Sequence, residues 1–153
     1  MKNQISKGIE RLSLHDSHIE ELARYSDKMV LTFDWAGLAN YEETDVSESI
    51  VLGKCILELY GLKNEKLELE FSGGLELEDW PPKEASVVSQ PFQDRLVLEN
   101  KFTEKGLYQI CGFSEYKDAL AWTKWRFSFT RFTLSWDNFI TGREWRLGHS
   151  VVD

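Results

Sequence analysis

The stretch SLHDSHIEEL, Ser13 to Leu22, holds two of the chain's three histidines with an aspartate between them. Imidazole and carboxylate groups this close could ligate a metal or relay a proton. His15, Asp16 and His18 are therefore the candidate ligand or metal residues, with His149 as the one distant imidazole able to join them. The spacing argues otherwise. On a helix His15 and His18 would share a face, on a strand they would point to opposite sides, and the count fits neither HExxH nor a zinc finger. A structural role fits better: Asp16 or Ser17 accepts nearby backbone N–H groups, and Ser17-His18-Ile19-Glu20 has the S-x-x-E form of a capping box. The stretch reads as punctuation that starts an element, and no metal or cofactor is expected.

Other chemistries find less support. The chain has no GxSxG turn, and FSGG lacks the strand-loop-helix pattern that cradles phosphates. Cys55 and Cys111 stand apart with no CxxC partner, as expected of inert buried thiols in a reducing cytoplasm. Among 26 acidic residues a carboxylate pair such as Glu68 with Glu78 is easily nominated, and that ease removes its weight. No catalytic residue is assigned. An apolar run long enough to cross a bilayer is missing from the sequence, and its opening, MKNQISKGIERLSL, lacks the apolar segment of a secretory signal, so no membrane association is expected.

Charge is distributed unevenly. Residues 1–100 carry 10 Lys and Arg against 20 Asp and Glu, residues 101–153 carry 8 against 6, and the net charge is −8. An acidic surface repels nucleic acid and steers a basic partner, most naturally a protein. The candidate contact residues are Glu42, Glu43, Asp45 and Glu48 in one segment, and Glu68, Glu70, Glu76 and Glu78 in another. Trp35 and Trp80 are the candidate aromatic anchors. Lys124, Arg126, Arg131, Arg143 and Arg146, interleaved with Trp122, Trp125, Phe127, Trp136 and Trp145, would suit a nucleic-acid surface, but the overall charge opposes it. The same set could form a homodimer surface facing the acidic strands.

These residues must be positioned by strands. In KLELEFSGGLELEDW, Leu67, Leu69 and Phe71 alternate with charged residues, then Leu75 and Leu77 do the same after a Gly-rich turn. Cys55, Leu57 and Leu59 keep step before them, and Gly61 to Asn64 reads as a hairpin turn into Leu67. Val30 to Trp35 reads as a strand, and RLVLENKF with LYQICGF as a pair joined across Thr103 to Gly106. In WRFSFTRFTLSW the apolar side changes from odd to even positions at Thr130-Arg131. A strand keeps strict alternation, so either a bulge lies here or the strand passes between packing layers; a turn is the weaker option. Ser114 to Lys124 has a capping serine and helical spacing, which predicts a short helix near 115–123. DWPPKEASVVSQPF carries all three prolines and is expected to be the long loop. The expected fold is mainly β, all-β or α+β, as an antiparallel sandwich or strongly curved sheet forming one domain over residues 1–153.

LHDSHIEEL followed by KMVLTFDW resembles the opening of small, uncharacterised bacterial proteins that continue as a β-meander, some of them immunity proteins that neutralise a secreted toxin. The resemblance covers about 20 residues and implies strand for Ile19 to Tyr25. It carries no catalytic residue. Charge, composition and resemblance together point to a non-enzymatic cytoplasmic binding protein, an immunity-type inhibitor of a basic partner. The rival expectation is a small enzyme or ligand-binding β domain with a pocket near the HDSH segment.

Overall fold

Apolar side chains at every second position leave the chain little choice but strands with one greasy face. The computed structural model describes residues 1–41, 48–71, 76–80, 92, 95–116 and 119–152, with the backbone alone at 71, 76–80, 116 and 119. Its strands are β1 Asn3–Ile5, β2 Leu12–Ser13, β3 Ile19–Arg24, β4 Lys28–Phe33, β5 Ala36–Tyr41, β6 Glu48–Leu52 and β7 Cys55–Tyr60. They continue with β8 Lys63–Phe71, β9 Glu76–Trp80, β10 Glu99–Phe102, β11 Tyr108–Tyr116, β12 Ala119–Ser128, β13 Arg131–Trp136 and β14 Phe139–Thr141. A 3-10 turn at Ile9–Arg11 and one short helix, α1 Gly142–Arg146, complete the described elements. The fold is mainly β, as the alternation requires.

The strands form three antiparallel sheets, ordered β14-β6-β5-β2, β1-β13-β7-β4-β3 and β10-β11-β12-β8-β9. A single two-stranded ribbon runs through all three. Ile50 pairs with Thr141 in the first sheet, Cys55 with Trp136 and Tyr60 with Arg131 in the second, and Lys63 with Ser128 and Phe71 with Ala121 in the third. The ribbon breaks at two corners. At one, the Gly53 amide donates to the Asn138 carbonyl at 2.9 Å; at the other, the Thr130 amide donates to the Tyr60 carbonyl at 2.8 Å.

The second corner explains the change of apolar side at Thr130-Arg131. Trp125 and Phe127 face the core from the third sheet, while Phe132, Leu134 and Trp136 face it from the second. The strand changes layers, and the opposing chain changes with it, from buried Leu59 to Leu62, which packs against the core. Gly61 sits at the crossing with φ +67, where a Cβ would fall 2.4 Å from Thr130 Oγ1. Its segment is therefore not the hairpin turn expected from sequence. β7 pairs with β4 and β13, β8 with β9 and β12, and Gly61 carries the chain from one sheet to the next. Beyond it, one extra residue on β8 shifts the register between Arg126 and Ser128, and Asn64 takes the left-handed φ of 57 that such a bulge accepts.

The helix expected near 115–123 is not there. The described residues of that stretch are the end of β11, to Tyr116, and the start of β12, from Ala119, and the two strands are paired from Tyr108 with Phe127 to Tyr116 with Ala119. Helical spacing over so few residues was outweighed by pairing with neighbours on both sides of β12. The helix stands at Gly142–Arg146 instead, where Thr141 and Glu144 close a capping box: the Glu144 amide donates to Thr141 Oγ1, and the Thr141 amide to Glu144 Oε1, each at 3.1 Å. The strand expected from Ile19 is present as β3, and Gly106, with φ 78, turns the β10-β11 hairpin. The Ser72-Gly73-Gly74 turn and nearly all of the proline-bearing loop lie outside the described residues.

All three sheets enclose one core. Phe33, Leu57 and Trp136 enter it from the second sheet, Leu38 and Leu52 from the first, and Leu69, Tyr108, Trp125 and Phe127 from the third. Large rings fill the space where the sheets diverge: Trp125 meets Phe127 edge-on at 5.1 Å, and Tyr41 meets Trp136 at 5.5 Å. Phe33, Tyr108 and Phe132 are buried in the same core, so part of the high aromatic content of the sequence is spent here.

Candidate functional site

The turn at Leu14–His18 joins β2 to β3, and most of its backbone polar atoms are bound to the rest of the protein. The His18 and Trp35 amides both donate to Asp34 Oδ1, at 2.7 and 2.9 Å, and His18 Nδ1 lies 3.1 Å from Asp34 Oδ2. His15 Nδ1–H donates to the Leu98 carbonyl at 2.7 Å. The Asp16 amide donates to the Val97 carbonyl at 2.9 Å, the Ser17 carbonyl accepts from the Val97 amide at 2.8 Å, and the Trp35 indole N–H donates to the Asp16 carbonyl at 3.2 Å. Asn100 completes the clamp, accepting from the Leu14 amide and donating to the Leu12 carbonyl, both at 2.8 Å. The turn thus stitches the first sheet to the segment that leads into β10.

Punctuation is the right description, with a different acceptor. Asp34, sixteen residues on, takes the backbone N–H groups that Asp16 or Ser17 was expected to take. Asp16 serves mainly through its backbone, at φ 65, a region Asp tolerates better than most residues. No helix begins at Ser17, so its S-x-x-E pattern is not a capping box; β3 starts at Ile19.

Ser17, His18 and Asp34 also have the residue types of a catalytic triad, yet the geometry breaks it. Ser17 is fully buried and its hydroxyl has no hydrogen-bond partner among the described residues, while the His18 ring is exposed and turned to Asp34. Among the described residues no three His, Cys, Asp or Glu side chains converge to hold a metal ion. Cys55 and Cys111 are buried, and burial, followed by nearby Glu99, pushes the Cys111 thiol up to about 11, so it stays protonated at neutral pH.

The expected acidic contact surface is only partly an acidic surface. Glu68 meets Arg126 at 2.7 Å and Glu70 meets Lys124 at 3.4 Å, forming a ladder of opposite charges across β8 and β12. Glu65 is tied to Arg24 by two hydrogen bonds, at 2.7 and 2.6 Å, and accepts from the buried Trp125 indole at 3.1 Å. Glu48 is half-buried on β6. Glu76, Glu78 and Trp80 lie on β9, Glu76 in register with Glu70, and their side chains are outside the description. Glu42, Glu43 and Asp45 also lie outside the described residues. Trp35 is half-buried and stacked on Trp145, with ring centres 5.8 Å apart and planes at 17°.

Of the interleaved basic and aromatic residues, Trp125, Phe127 and Trp136 are wholly in the core and offer no face for stacking a base. Arg131 lies over the Tyr60 ring at 3.8 Å, and Tyr60 hydrogen-bonds Glu58, which raises its pKa. Trp122 differs. On the outer face of the third sheet it meets Phe113 edge-on at 5.2 Å, beside Leu120. Phe113 is 40% exposed and Leu120 52%. Sequence reading assigned Phe113 and Leu120 no surface role, although β12 alternation carries the signal: if Trp125 is inward, Trp122 is outward.

Neither a known protein family, a curated protein nor a solved structure matches the chain.

Proposed function

We propose that the chain is a non-enzymatic binding protein of immunity type, acting in the cytoplasm on a basic protein partner. The observation that carries this reading is the cluster of exposed Phe113 and Leu120 with half-buried Trp122 on a rigid sheet in a chain of net charge −8. Exposed aromatic groups on ordered strands are the usual anchors of protein interfaces, and a negative surface speeds encounter with a positive one. His15 and His18, by contrast, are engaged in holding a turn. Among the described residues no helix is long and apolar enough to cross a membrane.

The test is affinity capture at low salt, followed by reconstitution from purified components. One basic protein should bind in simple stoichiometry and be released as ionic strength rises from ~50 to ~300 mM, where screening shortens the reach of surface charges. Failure to retain any partner, or retention of many proteins in proportion to their charge, would end the proposal.

One observation favours the rival reading of a ligand-binding or enzymatic domain at His15, Asp16 and His18. Asp34 fixes the proton of His18 on Nδ1 and leaves Nε2 as an acceptor on an exposed ring. Stoichiometric zinc retained through purification and lost on His18→Ala would establish that reading in place of the first.

A further inference from the structure

Resting on the binding reading, we infer that the partner docks on the outer face of the third sheet through a basic residue next to an apolar one. The apolar side chain contacts Phe113, Leu120 and Trp122, and the cation takes Glu70 over from Lys124. Three features place it there. Trp122 stands on β12 where that strand is paired on both sides, with Phe113 of β11 and Glu70 of β8, so its ring loses little freedom on binding. Two of the three apolar groups have a carboxylate as cross-strand neighbour: Trp122 is in register with Glu70, and Leu120 with exposed Glu115. Finally, the Glu70–Lys124 contact is long, 3.4 Å, with Glu70 47% exposed. A pair of that kind is weak and is readily exchanged for a better-placed cation.

The charge around the cluster selects the occupant. Carboxylates beside the apolar groups favour Lys or Arg and disfavour an acidic partner, which would meet like charge. Helix α1 offers the same chemistry on this chain, with exposed Arg143, Trp145, Arg146 and Leu147, so a second copy is the competing occupant.

A phage-displayed library of random 12-residue peptides, panned on the intact protein at low salt, tests the inference. Enriched peptides should pair Lys or Arg with Trp, Leu or Ile. Their binding should fall about tenfold or more on Trp122→Ala and on Leu120→Ser, as for a central interface anchor, and several-fold on Glu70→Gln. It should survive Trp145→Ala. Leu120→Ser alters an exposed side chain, and an unchanged unfolding midpoint verifies that its effect is local. Basic-apolar peptides that ignore Trp122→Ala and Leu120→Ser overturn the surface but leave the binding reading intact; enrichment of acidic peptides overturns the partner chemistry. An empty selection counts against both. Self-association of the wild type in sedimentation, abolished by Trp122→Ala, would give the face to a second copy.

Discussion

The Leu14–His18 turn and the β12-β13 strand run are the two regions whose side chains promise most chemistry, and the protein uses them in opposite ways. In the turn, side chains fix the backbone: Asp34 gathers two amides and a ring, and His15 holds a carbonyl. In the strands the backbone is already satisfied by its neighbours, and position alone decides each side chain's fate. Trp125 is buried at 0% exposure, while Trp122, three residues earlier, stands on the opposite face. Reactive residue types in a tight turn are first suspected of structural work. In a strand, outward parity is the filter that leaves residues available to a partner.

Mutations can break this contrast. The largest effect belongs to Trp125→Ala, which empties a filled part of the core and removes one of the hydrogen bonds that Glu65 accepts, and should cost about 3–5 kcal/mol in urea unfolding. Gly61→Ala forces a Cβ toward Thr130 at positive φ where two sheets meet, and a loss of about 1–3 kcal/mol is expected by the same measurement. Asp34→Ala strands two amides of the turn and should lose about 1–3 kcal/mol, most of it recovered in Asp34→Asn, whose Oδ1 can still accept both. Equal losses for Ala and Asn would mean that the imidazole contact, not the amides, holds the turn.

Alkaline pH probes the outer face itself, since Cys111 shares the Phe113 side of β11, in register with Lys124. The folded Cys111 thiol, at about 11, keeps its proton longer than the unfolded thiol, near 9. Its contribution to stability is therefore intact below the unfolded value and declines as pH rises toward the folded one. Urea midpoints across that window should fall less steeply in Cys111→Ala than in the wild type; parallel curves would contradict the shift. The smallest effect is expected for Trp122→Ala, about 1 kcal/mol or less, the usual worth of a cross-strand aromatic pair. A loss as large as that of Trp125→Ala would erase the distinction between inward and outward rings.

Much of the fold was legible because alternation is dictated locally. Cys55, Leu57 and Leu59, then Leu67 and Leu69, are all inward as their spacing requires. Pairing was not, since register is set by strands far apart in sequence: Lys63 answers Ser128, and β7 and β8 never pair despite their short connection. The change of side at Thr130 announced the crossing, while its companion at Gly61 looked like an ordinary turn. The helix was misplaced because Ser114 and the acids after it satisfy local rules that strand pairing overrides. In the candidate surface, alternation placed Glu68 and Glu70 together, but only the register reveals Arg126 and Lys124 alongside them. The Asp34 clamp depends on a fold-back of the chain that no short motif records.

Because the segments Ile50–Phe71 and Ala121–Thr141 serve every layer in turn, no layer owns its own scaffold. Peeling one sheet away would unzip the shared spine that its neighbours lean on. The molecule is thus bound to open as a unit, and its assembly must wait for two remote lengths of chain to find each other before any part is secure.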